Sequence, residues 1–263
     1  MERGENKARA YYVLTLALRT AVFLLLVLWA VLWPARFDRW LTADLGAFTP
    51  LTAVWLALMI SMVLRFFPSR WESLGCQKEF AGRFRPTGRD IAPEEVRRAD
   101  RGALRVLFFW VIANGAFLLA HRRGWLTGRF LVCLAGFYGV CDIVCILFFC
   151  PFQAWMMGNR CCTTCRIYNW DYLMLCTPLL GLRGILALSA CLVALVLLIR
   201  WEAAYRRHRE RFFESGNEAL RCAGCQEHLC RYKRALARTG RGPSWGTGGA
   251  RDPAGTGPDG DPG

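Results

Sequence analysis

Hydrophobic positions in this chain gather into long blocks instead of recurring at the three-to-four spacing of an amphipathic helix, and short arginine-rich stretches separate them. Five blocks stand out, near residues 11–34, 47–67, 103–121, 130–150 and 172–199. At 1.5 Å of rise per residue, each is long enough for a hydrocarbon layer about 30 Å thick. The third is the shortest and contains Asn114-Gly115. The pattern predicts an all-α, multi-pass transmembrane helical bundle of four to five spans within residues 1–200. A polar loop occupies 68–102 and a cysteine-rich loop 150–171. Beyond the last block, 201–238 reads as a basic amphipathic helical region. The Gly, Pro and Asp content of 239–263 predicts a disordered tail.

The first block outruns the apolar core of a signal peptide, contains Arg19 and lacks a small-residue cleavage site before Trp33-Pro34, so it reads as a span. With 54% hydrophobic residues the chain nevertheless carries a net charge of +14, and 31 of its 34 basic residues are arginine. Residues 68–102 hold eight Lys and Arg, and the chain from Arg200 onward holds twelve. Basic segments stay in the cytoplasm, so the amino terminus, the 68–102 loop and the carboxy-terminal region belong on one side. Five crossings cannot achieve that. An even count with a cytoplasmic carboxy terminus is expected. One route to it has the third block dip and return at Asn114-Gly115, which turns the cysteine loop outward; a fifth block broken before Gly181 opens others. The charge fits anchoring at anionic lipid better than nucleic-acid binding, and no nucleic-acid partner is expected.

Candidate chemistry centres on the cysteine loop. Cys150, Cys161, Cys162 and Cys165 fall within sixteen residues, the last three in a C-C-x-x-C arrangement. Such spacing lets sulfurs converge on one ion or form a disulfide, and four thiolates would complete a tetrahedral set for zinc or an iron–sulfur cluster. Pro151 ends the preceding helix and can aim Cys150 back at the others. Arg160 and Arg166 flank the motif and would favour thiolates. Cys76, Cys222, Cys225 and Cys230 form a second potential metal group, with His228 as a substitute ligand, although Cys222 and Cys225 also fit an apolar stripe with Leu229, Tyr232 and Leu236. Cys133, Cys176 and Cys191 read as packing residues.

Inside the fourth block, Asp142 is a carboxylate at bilayer depth, where a role or a partner is required. Counting inward from the loop places Asp142 and Arg183 at similar depth and predicts an ion pair; Arg19 is the other candidate cation. Cys141 and Cys145, one turn apart beside Asp142, would extend soft ligands inward. Walker, G-x-G-x-x-G, H-E-x-x-H and G-x-S-x-G patterns are absent from the sequence. The expectation is a multi-pass cell-membrane protein with a cysteine-thiolate centre for a metal ion or iron–sulfur cluster, serving electron transfer. The alternatives are a thiol–disulfide oxidoreductase and a soft-metal transporter. The partners expected are membrane lipid, the metal ion or cluster, and a redox partner protein.

Overall fold

The computed structural model describes residues 2–42, 48–159 and 161–221, with side chains described from residue 10. Among these residues every regular element is helical: α1 (Glu2–Leu32), α2 (Pro34–Leu41), α3 (Pro50–Leu64), α4 (Leu74–Gln77), α5 (Pro93–Arg122), α6 (Gly128–Leu147), α7 (Asp171–Cys176) and α8 (Ile185–Arg207). Four of them are long and apolar enough to cross a membrane, over Ala10–Leu32, Pro93–Arg122, Gly128–Leu147 and Ile185–Arg207. Local sequence sets several boundaries. Pro34 cannot supply the amide that α1 needs to continue, and it opens α2 instead. Thr49 caps α3 in a reciprocal box with Thr52 ahead of Pro50. Glu94 and Glu95 occupy the first turn of α5 and His121 and Arg122 its last, matching the helix dipole.

Packing contacts show which end of the bundle each helix reaches. Tyr12 near the start of α1 packs against Ile143, Ile146 and Leu147 of α6, at the cysteine-loop end. Farther along α1, Leu26 meets Phe37 and Leu51 at the opposite end. From there α3 returns to Arg65, whose Nη2 lies 3.2 Å from Asp171 Oδ2 beside the cysteine loop. Val96 of α5 clusters with Trp201 and Tyr205 of α8 at that same end. Leu118 and His121, at the far end of α5, close on Gly181. After α6 comes back, residues 171–181 descend again as α7 and a 3₁₀ segment, Thr177–Gly181, and α8 rises once more. The described residues thus make six passes through the bundle, four long and two short. Polar loop, cysteine loop and the end of α8 share one end.

Both short passes lean on α8. At about 1.5 Å per α-helical and 2 Å per 3₁₀ residue, α3 and the 171–181 segment each rise roughly 20 Å, less than a full hydrocarbon thickness. Ala190, Cys191 and Ala194 give α8 a face of small side chains against which Met62, Tyr172 and Cys176 pack, and small residues allow such close approach. Trp55 Nε1 donates to Ser189 Oγ at 3.1 Å across the α3–α8 contact. Cys176 and Cys191 are packing residues here, the Cys191 thiol donating to the Cys176 carbonyl at 3.4 Å.

Three expectations change. The third block does not dip: α5 runs unbroken through Asn114, whose buried amide donates to the Trp110 carbonyl at 3.1 Å and whose Oδ1 accepts from Tyr138 OH at 3.3 Å. A satisfied polar side chain is no reason for a helix to break. The fifth block is two passes, turned at Leu182–Gly184. Residues 208–221 form 3₁₀ turns at Arg209–Arg211 and Glu218–Leu220 in place of a continued amphipathic helix, because Phe212 and Phe213 fold back onto Trp201 and Tyr205. The remainder of the expected helix, the tail and Arg160 lie outside the described residues.

Topology reporters test the six passes. Tags inserted after Thr87, Asn159 and Arg221 should report one side of the membrane, and a tag after Gly124 the other. A signal from Asn159 opposite to that from Thr87 would exclude this arrangement.

Candidate functional site

The end of α6 brings two cysteines together. Phe148 departs from helical geometry (φ −114°, ψ −67°), and the amides of both Phe148 and Phe149 bond back to the Val144 carbonyl. This end, widened by the i→i−5 bond of Phe149 and followed by Pro151, folds Cys150 over the last turn, where its thiol and that of Cys145 share a hydrogen bond. Cys150 Sγ also accepts from the Gln153 amide at 3.4 Å. Both cysteines line a cavity of about 360 Å³. Cys141, Asp142, Cys162, Cys165 and Asp171 also line it, and Trp110, Tyr138 and Phe152 supply aromatic surface.

Cys161 is elsewhere. Its sulfur lies 3.0 Å from Thr163 Oγ1, while Cys162 Sγ donates to the Ile146 carbonyl at 3.6 Å. Among the described residues no group of three His, Cys, Asp or Glu is placed to hold a metal ion, the expected four-thiolate set at Cys150, Cys161, Cys162 and Cys165 included. The ten described cysteines carry thiols, not disulfides. Arg166 does not face the thiols either: Glu202 holds its guanidinium through two contacts of 2.6 Å, and Asp100 adds a third at 3.2 Å.

Asp142 has a partner, but it is Arg19. Arg19 Nη1 lies 2.7 Å from Asp142 Oδ2 and 3.0 Å from the Gly139 carbonyl. The expected Asp142–Arg183 pair fails because residues 171–181 travel the whole way to the opposite end, where Leu182 meets Gly128, the first residue of α6. Arg183 is exposed there. Depth counted along an assumed continuous helix misplaced it.

A second polar centre was not anticipated. Buried Arg65 donates to Cys76 Sγ at 2.9 Å and Asn169 Oδ1 at 3.0 Å, pairs with Asp171 at 3.2 Å and Glu72 at 3.1 Å, and lies over the Tyr172 ring at 5.1 Å. Ser73 Oγ, Tyr12 OH and Tyr168 OH complete the surroundings. Burial pushes the Cys76 thiol up to about 12 against the pull of Arg65, so it stays protonated at neutral pH. Its expected partners Cys222, Cys225 and Cys230, and the substitute His228, lie outside the described residues. Asp171 is the link between the two centres. One of its oxygens engages Arg65, while Oδ1 is buried without a hydrogen-bond partner in a side chain only 8% exposed. The clue in the sequence was that Arg65 and Asp171 sit at the edges of two apolar blocks with opposite charge.

Lys78 lies beneath the cysteine loop, only 2% exposed. Its ammonium donates to the Cys165 carbonyl at 2.9 Å and faces the rings of Trp201 and Phe212 at 5.5 Å each. Burial brings it down from the ordinary 10.5 to about 8.

No family model, curated protein or solved structure matches this chain. Function must be read from the site itself.

Two measurements follow from these contacts. Removing Arg19 leaves Asp142 a buried charge without its partner, so Arg19→Leu should destabilise the protein by about 3–5 kcal/mol. Adding Asp142→Asn should recover much of that loss, whereas Arg183→Leu combined with Asp142→Asn should be additive in a double-mutant cycle. Lys78 predicts a pH effect. Between about pH 8 and 10.5 the unfolded chain holds the lysine proton more tightly than the folded one, so stability rises with pH. Cys76, raised from 9.0, acts in the opposite sense above pH 9, which leaves pH 8 to 9 as the window. Thermal melts in detergent should show this rise in the wild type and its loss in Lys78→Met.

Proposed function

We propose that this protein is a membrane thiol–disulfide oxidoreductase whose reactive pair is Cys145 and Cys150 and whose acceptor is a flat, apolar, quinone-class molecule. One observation carries this reading: a hydrogen-bonded pair of thiols on the wall of an aromatic cavity of about 360 Å³. Small-molecule cavities run from about 300 to 1,000 Å³, mostly apolar with a few convergent polar groups. In the proposed step the Cys145–Cys150 disulfide forms as both S–H bonds break, and two electrons and two protons reduce the two quinone carbonyls to hydroxyls. Asp171 Oδ1 is the group suited to accept a thiol proton on the way, since it is buried beside the cavity without a partner. Attack requires a thiolate.

Charge distribution supports a cytoplasmic position for the cysteine-loop end. Residues 68–102 carry eight Lys and Arg and residues 200–221 carry six, against two in 35–42 and three in 122–129 at the other end. A reducing compartment then keeps the thiols supplied with electrons through a redox partner protein. Cys162 and Cys165, which line the same cavity, are suited to relay them by disulfide exchange with Cys145 and Cys150. The cell membrane is the expected site.

Soft-metal transport is the second reading, favoured by five cysteines lining one cavity, with the cation as cargo passed between thiolates. The two readings separate experimentally. Reduced protein in detergent, mixed with a short-chain benzoquinone, should yield one hydroquinone per Cys145–Cys150 disulfide mapped by mass spectrometry. Cys145→Ser and Cys150→Ser should abolish the reaction and Cys161→Ser should leave it. Retained turnover in Cys145→Ser would reject the oxidoreductase reading. Silver(I) uptake into proteoliposomes, without quinone reduction, would favour the transport reading in its place.

A further inference from the structure

Along one flank α5 and α8 stay apart, leaving a groove of about 460 Å³ whose floor is α7. Its residues are sorted by chemistry along its length. Leu104 and Leu107 of α5, Met174 of α7 and Leu198 of α8 line the part toward the middle of the bundle, and Arg206 and Arg209 stand at the cysteine-loop end. Leu104 is 64% exposed, so the apolar stretch opens sideways to the surroundings of the bundle.

The charges at the mouth are unequal. Arg166 is more than neutralised: Glu202 and Asp100 both hold its guanidinium, which leaves the trio net negative, and it stacks 3.8 Å from the centre of the Tyr205 ring. The same two carboxylates also accept from Trp170 Nε1 at 2.9 Å and Tyr205 OH at 2.9 Å. Arg206 and Arg209 are exposed and make no ion pair among the described residues. Three arginines against Asp100 and Glu202 leave this mouth a net positive charge, and among the described residues Arg206 and Arg209 are its two cations outside an ion pair, at the bundle's more basic end.

We propose that this groove is a binding site for one anionic diacyl phospholipid, its phosphate at Arg206 and Arg209 and one acyl chain along Leu104, Leu107 and Leu198. An amphiphile with an anionic head and a long apolar tail matches the order of residues from mouth to middle. Net negative charge matters. In a zwitterionic lipid the headgroup ammonium offsets the phosphate and competes with the arginines, whereas a phosphatidylglycerol leaves both cations a net anion. Basic pockets between membrane helices on the cytoplasmic side select anionic headgroups for this reason. The site is distinct from the thiol cavity, with Trp110 and Met174 forming the wall between them.

The full chain, delipidated in mild detergent, is titrated with phosphatidylglycerol or phosphatidylcholine and bound lipid is counted by native mass spectrometry. One phosphatidylglycerol should bind in clear preference to phosphatidylcholine. Arg206→Gln with Arg209→Gln should weaken it about 30-fold, each surface cation contributing about fivefold. Leu107→Trp, which fills the groove and leaves both arginines, should also displace the lipid. Arg70→Gln with Arg89→Gln removes two exposed cations from the same end outside the groove and should leave binding unchanged. An equal loss in this control would show diffuse attraction to a basic face and overturn the site, as would equal affinity for both lipids or undiminished binding in Leu107→Trp. Unchanged thermal melting of each variant confirms that folding is not what the titration reads.

Discussion

Much of this structure depends on satisfying one buried guanidinium. Arg65 ends the short α3 at the cysteine-loop end, and a cation without partners there would cost several kcal/mol. It is met from three directions: Glu72 and Cys76 from the polar loop, Asn169 from the end of the cysteine loop, and Asp171 from the start of α7. Those contacts tie one end of each short pass to the loops above it. They also leave Asp171 with one oxygen held and the other beside the cavity, so a structural demand generates a chemically available carboxylate.

A similar economy shapes the cysteine loop. Lys78, Arg166 and the rings of Trp201, Tyr205 and Phe212 form a layer of cations and aromatic faces around it. Trp201 Nε1 donates to the Arg166 carbonyl at 3.0 Å and Lys78 to that of Cys165, so backbone groups of an irregular loop find partners in side chains from other segments. The thiols are thereby distributed: Cys161 turns to Thr163, Cys162 to the end of α6, and Cys145 and Cys150 to each other.

The cavity and the flank groove share Trp110 and Met174, and Trp110 is pinned by its indole N–H to Thr177 Oγ1 at 3.2 Å. That hydrogen bond anchors the partition to the 3₁₀ segment Thr177–Gly181, the least regular part of any pass. Polar side chains are well suited to such a place, since irregular backbone at membrane depth has to be covered and bonded by protein. The two spaces are thus neighbours with opposite surroundings, one under the loop among thiols and carboxylates, the other opening sideways with arginines at its end.

The sequence by itself determined the helical membrane class, because blocks of apolar residues can satisfy their backbone in lipid only as helices. It also located the cysteine loop between two blocks, the end of α1 before Pro34, and Asp142 as a buried carboxylate in need of a partner. Those are properties of local composition, and local composition is what a sequence displays. Only the tertiary structure decided that the described residues make six passes through the bundle, since residues 171–181 lie inside a single apolar block that reads as one span, and they turn back against the small residues of α8. It alone chose Arg19 over Arg183 for Asp142, joined Arg65 to Asp171 across 106 positions, and separated the loop thiols. Spacing along a chain fixes depth only while a helix continues, and it never fixes which face meets which neighbour. The pairing of charges and thiols follows from that second quantity, which exists only once the helices have packed.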